Sequence, residues 1–156
     1  SHEGSKKIRA MLHIIDDLES MADTIYQLSM VIDGKNSMKI IFTENQRTAL
    51  KEIFELIKES MRAMNTNLQK NFKDVNPKLA FDLEKKINIK RNELRQQHVI
   101  DLKEKKYKHK TGTYYSDLFS LTEKLGDFVV NITEAIDECN VSKKVESFAE
   151  EVEAVV

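Results

Sequence analysis

Asp17-Leu18-Glu19-Ser20-Met21-Ala22-Asp23-Thr24-Ile25-Tyr26-Gln27-Leu28 returns later in the chain as Leu121-Thr122-Glu123-Lys124-Leu125-Gly126-Asp127-Phe128-Val129-Val130-Asn131-Ile132. The offset is constant, with 104 residues separating Glu19 from Glu123, Asp23 from Asp127 and Gln27 from Asn131. An apolar seam runs through both copies in alternating steps of four and three. It is Ile14, Leu18, Met21, Ile25, Leu28, Ile32 in the first and Leu118, Thr122, Leu125, Val129, Ile132, Ile136 in the second. That spacing keeps one stripe of an α-helix apolar, the stripe that packs lengthwise on other helices. It sets the fold class as all-α.

The rest of the chain supplies starts and stops. The first helix is expected over 5–33, ended by Gly34 in the turn Asp33-Gly34-Lys35-Asn36-Ser37. Met38-Lys39-Ile40-Ile41-Phe42 reads as a connector that seals the bundle end rather than a strand. Thr43 and Gln46 form a capping box that starts the second helix. Its seam is Leu50, Ile53, Phe54, Ile57, Met61, Met64 and Leu68, ending near Phe72. Asn76 caps the third helix with Pro77 at its first position, where a missing N–H costs nothing. Leu79, Leu83, Ile87 and Leu94 are expected on its inner face, while Arg91, Gln97, His98 and Asp101 crowd its far end near 106.

After the lysine-rich segment Lys103–Lys110 and Gly112, a fourth helix is expected over 113–139. Ser142 can then cap a short amphipathic helix with Val145, Phe148, Ala149 and Val152 inward. Four helices, each about 40 Å long at 1.5 Å per residue, joined by short loops, predict an antiparallel bundle with a short C-terminal helix. The first and fourth helices are expected to be neighbours. Residues 1–5 read as a remnant of an expression tag, 6–139 as the bundle and 140–156 as its tail. Since Lys6-Lys7-Ile8-Arg9 enters the helical pattern at once, the chain reads as a piece of a longer protein with the missing part upstream.

Composition removes several function classes. The 156 residues carry 25 basic and 26 acidic side chains, a net charge of −1. A nucleic-acid binder driven by phosphate attraction would show a basic excess. A charged fraction of 33% with only four Gly and one Pro suits long helices with solvated faces. The single cysteine, Cys139, falls one heptad beyond Ile132 and reads as a small buried apolar residue. No stretch approaches the roughly 18 apolar residues of a membrane span, and no signal peptide is expected. The chain holds no Gly-rich phosphate loop, nucleophile elbow or Glu-x-x-His pair, so it is not expected to be an enzyme.

Each copy of the repeat carries Glu-x-x-x-Asp followed by an amide four residues on. Carboxylates at i and i+4 lie about 6 Å apart on one helical face. Relative to the seam they point outward, where a solvated face is the ordinary explanation. Recurrence at one offset is what marks Glu19, Asp23, Glu123 and Asp127 as candidate metal ligands. Hard oxygen donors from two helices would suit Mg²⁺, Mn²⁺ or iron. His98 is expected to face inward and bond a neighbour such as Asp101, with His13 on the surface and His109 in a loop. The Lys103–Lys110 segment reads as a helix C-terminus passing into a solvated loop. Its alternative is contact with an anionic bilayer, with Tyr107, Tyr114 and Tyr115 at the interface.

The two strings resemble the recurring helix of PhoU-like domains, whose typical form is close to Asp-Leu-Glu-Arg-Ile-Gly-Asp-His-Ala-x-Asn-Ile. That family stacks three-helix units in tandem. The resemblance implies that residues 43–139 are one unit and residues 5–33 the last helix of a preceding one. It also implies that the acidic pairs on adjacent helices hold divalent or iron ions on the bundle surface. The sequence departs from the pattern at Ala22, at Thr24 and Phe128 in place of the histidine, and at Gln27. Those departures bear on any ligand set that needs the histidine or the asparagine. PhoU-like domains occur as free phosphate-signalling proteins and as cytosolic tails of bacterial sodium/phosphate cotransporters. A chain that begins mid-unit is more similar to the second kind. The expectation is a regulatory or interaction module at the cytoplasmic face of the inner membrane. Its partner would be the upstream transmembrane domain of the same protein, with homodimer formation and membrane contact through Lys103–Lys110 as further associations. The alternatives are a stand-alone phosphate-signalling regulator, a carboxylate-bridged metal enzyme and an oligomerising bundle without ligands.

Overall fold

The computed structural model describes residues 2–70 and 75–153, with side chains over 4–70 and 75–139. It contains α1 (His2–Ser37), α2 (Glu44–Gln69), α3 (Lys78–Lys103) and α4 (His109–Glu153), and no strand among the described residues. The starts follow from local chemistry. Thr43 is extended, its Oγ1 accepts from the Gln46 N–H at 3.2 Å, and Gln46 Oε1 accepts from the Thr43 N–H at 3.0 Å. This reciprocal box satisfies two amides that no helical carbonyl can reach. Asn76 Oδ1 accepts from the Lys78 N–H at 3.1 Å, and Pro77 already has helical dihedrals, so the Asn-Pro start forms as expected. Phe72 lies outside the described residues.

Two glycines behave differently from the sequence expectation. α1 does not stop at Gly34 but continues to Ser37, and the chain reverses where Lys39 takes a φ of 52°. Gly34 instead lets α1 approach α4. A Cβ there would stand 3.2 Å from the Tyr114 ring. Gly112 likewise lies inside α4, where a Cβ would meet His98 Cε1 at 2.9 Å and Leu102 Cδ2 at 3.1 Å. Both are close-approach positions rather than stops. The turn between α3 and α4 is made by Lys105, at φ 56°.

α4 is also longer than expected. It passes through Asn140 and Ser142 without a break to Glu153, so the C-terminal segment is a continuation and not a separate short helix. The inward positions expected there, Val145, Phe148, Ala149 and Val152, lie outside the described side chains.

Packing is centred on α4. It lies beside α1, α2 and α3; α2 and α3 also pack on each other, whereas α1 packs closely on neither, its Ile32 and Lys35 bordering a groove with Leu50 and Phe54 of α2. α1 and α4 run antiparallel, with Gly34 at the Tyr114 level and Ala10 near Ala135 and Cys139. The all-α helical bundle is thus a three-helix unit, α2–α3–α4, with α1 laid along one flank.

The six seam positions of α4 are all buried, from Leu118 to Ile136. Thr122 fits among them because its Oγ1 donates to the Leu118 carbonyl at 2.7 Å, leaving no unpaired hydroxyl. On α1 only alternate positions are inside. Ile14 and Met21 are buried and Leu28 is half-buried, joined by Ala10 and Thr24, whereas Leu18, Ile25 and Ile32 are 40%, 49% and 43% exposed. On α3, Leu79 is exposed and Ala80 takes the inner position, followed by Leu83, Ile87 and Leu94 as expected. Cys139 is buried, also as expected.

Candidate functional site

The two acidic pairs occupy unlike places. Glu19 and Asp23 stand exposed on α1. Glu123 sits in the interface between α4 and α3, where its Oε1 accepts from Arg91 Nη2 at 2.6 Å and both side chains are only 18% exposed. Burial pushes the Glu123 carboxyl above its ordinary value, the Arg91 guanidinium pulls it back, and the neighbouring Asp127 charge pushes it up again. Asp127, one turn further and more exposed, is also raised by partial burial, with Arg91 opposing. The amides that follow each pair, Gln27 and Asn131, are both exposed.

A metal shared by the four carboxylates needs a Glu123 that is not already committed, and Glu123 is paired with Arg91. A divalent ion would have to displace Arg91 before binding there, and would leave the guanidinium half-buried without its carboxylate. Among the described residues no three or more His, Cys, Asp or Glu side chains gather into a group that could hold a metal. The donors present do not fit a shared ion. Arg91 is the residue to which the sequence pattern assigns no role, although it carries a signal: a guanidinium inside the α3 seam needs a buried partner.

A second polar cluster closes the end of the bundle where α3 turns into α4. His98 faces inward, but its partner is not Asp101. His98 Nδ1 and the Tyr107 hydroxyl are 2.9 Å apart and their rings stack with centroids at 6.0 Å. Asp101 Oδ1 instead accepts from Lys106 Nζ at 2.9 Å and Gln97 Nε2 at 2.7 Å. Burial lowers the His98 pKa, with the Asp101 charge opposing. Tyr115 and Phe119 pack edge-on at 5.3 Å beneath this pair, and burial raises the Tyr115 hydroxyl well above its usual range. The imidazole–phenol contact, packed on Tyr115 and Phe119, ties the α3–α4 turn to the core. His13 and His109 are exposed, the latter as the first residue of α4 rather than in a loop.

The lysine-rich segment is exposed, with Lys106 engaged by Asp101 and Glu104 at 2.9 Å each. Its aromatic neighbours do not share that exposure: Tyr115 is buried, and Tyr107 and Tyr114 are half-buried.

No family model matches the chain, and no curated protein and no solved structure matches it. The fold itself defines the class: an all-α helical bundle in which a three-helix unit carries a fourth helix on one flank. Among the described residues, no helix is long and apolar enough to cross a membrane.

Proposed function

We propose that the chain is a regulatory or interaction module, the PhoU-like tail of a sodium/phosphate cotransporter, acting through its helical surfaces on the transporter that carries it. One observation carries this reading. α2, α3 and α4 pack on one another as a unit while α1, bearing the other copy of the repeated helix, packs closely only on α4. That division falls where the resemblance to PhoU-like domains places it, between 5–33 and 43–139. The acidic pairs serve here as surface and interface charge, since Glu123 is held by Arg91.

The test begins with the coding sequence upstream of residue 6 and ends with transport. Membrane spans encoded upstream, and altered sodium-dependent phosphate uptake when residues 6–156 are deleted from the full-length protein, are the expected results. An upstream sequence without spans, or uptake indifferent to the deletion, would contradict the proposal. The first of these would favour a stand-alone regulator.

A further inference from the structure

We propose that α1 pairs, antiparallel, with α1 of a second copy of this chain along an outward apolar stripe. This inference concerns the 156-residue chain; under the tandem-unit reading the upstream helices of α1's own unit would compete for the same stripe. α1 carries two stripes. The one through Ile14, Met21 and Leu28 lies on α4. The other starts at Ile8 and advances by three and four residues alternately to Ile32, and Ser29 is its only polar position. Ser29 does not disturb it, because its hydroxyl donates to the Tyr26 carbonyl at 2.7 Å. At 100° per residue the two stripes lie roughly a fifth of a turn apart, about the angle between neighbours of one helix in a three-helix cluster, so a helix on the second need not displace α4. Steps of three and four are the spacing of a helix–helix seam. Neither α2 nor α3 packs closely along it; Ile32, at its far end, borders a groove shared with Leu50 and Phe54 of α2.

The size and shape of the stripe select the occupant. Its large side chains, with Leu12 and Tyr26 on its margin, are each 40–65% exposed. Together they offer on the order of 800 Å², about what one partner contributes to a stable protein–protein interface. An occupant must place bulk opposite Ala22 and Ser29 and leave room opposite Leu18 and Met11. The same stripe read backwards does both. Met11 then faces Ser29 of the second copy, Leu18 faces Ala22, Ile15 faces Ile25 and Ile8 faces Ile32. Large residues set against small ones are what a close-packed seam requires. Read forwards, Ala22 meets Ala22 and Ser29 meets Ser29, leaving two thin layers. A two-fold axis near residue 20 makes the contact self-complementary and closes it at two chains. One feature opposes it: Glu19 flanks the stripe near that axis and meets Glu19 of the second copy, a like-charge contact.

Sedimentation equilibrium of the purified chain from micromolar to millimolar concentration tests the pairing. A monomer–dimer equilibrium is expected. Ile15→Lys combined with Ile25→Lys should leave only monomer with unchanged helix content, and Leu79→Lys, on an exposed apolar position of α3, should leave the dimer intact. Glu19→Gln should tighten the dimer several-fold, and it keeps the test decisive if the double-lysine variant loses helix. Oxidation of an equal mixture of Ile8→Cys and Ile32→Cys chains should give a crossed disulfide. A chain that stays monomeric throughout, a dimer that survives the double-lysine change, or a disulfide formed by Ile8→Cys alone would overturn the proposal.

Discussion

The two copies of the repeated helix share a pattern and differ in their surroundings. In α4 every seam position from Leu118 to Ile136 is buried, because α1, α2 and α3 surround the helix. In α1 the positions matching Leu118 and Leu125 are buried, but those matching Thr122, Val129 and Ile136 are Leu18, Ile25 and Ile32, all exposed. The same heptad therefore serves a helix at the centre of a bundle and a helix at its edge. Periodicity reports which face is apolar. It does not report how many neighbours that face has.

The largest effect expected from this contrast is on stability. Leu125→Ala should cost about 2–5 kcal/mol in urea unfolding, since it empties a site enclosed by the core. Leu18→Ala, at a 40% exposed site, should cost less than about 1 kcal/mol in dilute protein. Similar losses at the two sites would erase the distinction between the copies.

The acidic pairs should separate next. Glu123→Leu strands a half-buried Arg91 and is expected to cost about 2–3 kcal/mol, with much of that recovered when Arg91→Met is added. Glu19→Leu has no such partner to strand and should shift stability by less than about 0.5 kcal/mol in the monomer. A double-mutant cycle reads both numbers, and additivity of the Arg91 and Glu123 changes would show that the pair is not coupled.

Much of this molecule is legible in its sequence. The all-α class, the Thr43–Gln46 box, the Asn76–Pro77 start and the α4 seam follow from local chemistry that a sequence displays. Gly34, Gly112 and Glu123 escape such a reading for a common reason. Each owes its role to a residue distant in sequence: Tyr114 across from Gly34, His98 beside Gly112, and Arg91 against Glu123. Leu79 reads as inward by its spacing to Leu83, but Ala80 is the fully buried residue there and Leu79 is 54% exposed.

pH offers a smaller test of the cluster at the α3–α4 turn. Burial holds the folded His98 below the ordinary 6.5 of an unfolded histidine. Above that value both states are neutral and His98 contributes no pH dependence. As the pH falls below it, the unfolded chain takes up the proton first, so stability should decline from about pH 6.5 toward the folded pKa. His98→Gln should flatten that decline in thermal scans, and an unchanged slope would place the titration elsewhere. The raised carboxylates Glu123 and Asp127 act with the opposite sign, in a lower range near the ordinary carboxylate values of 4.5 and 3.8.

The smallest effect concerns metal. Mn²⁺ or Mg²⁺ should leave the melting temperature unchanged beyond the effect of ionic strength, in wild type and in Asp23→Asn with Asp127→Asn alike. A concentration-dependent rise in the wild type, lost in the double variant, would mean that the carboxylates hold an ion in spite of Arg91.

The contrast between a filled and an open seam is tested most directly by one residue type at one register. Ile32 and Ile136 are equivalent in the repeat and identical in chemistry, yet one is 43% exposed and the other 1%. Urea unfolding of Ile32→Ala and Ile136→Ala, at a dilution where the chain is monomeric, isolates the surroundings from the side chain. The expected result is a loss of about 2–5 kcal/mol for Ile136→Ala and less than about 1 kcal/mol for Ile32→Ala. Equal losses would contradict the account, because they would mean that both copies of the helix are enclosed alike.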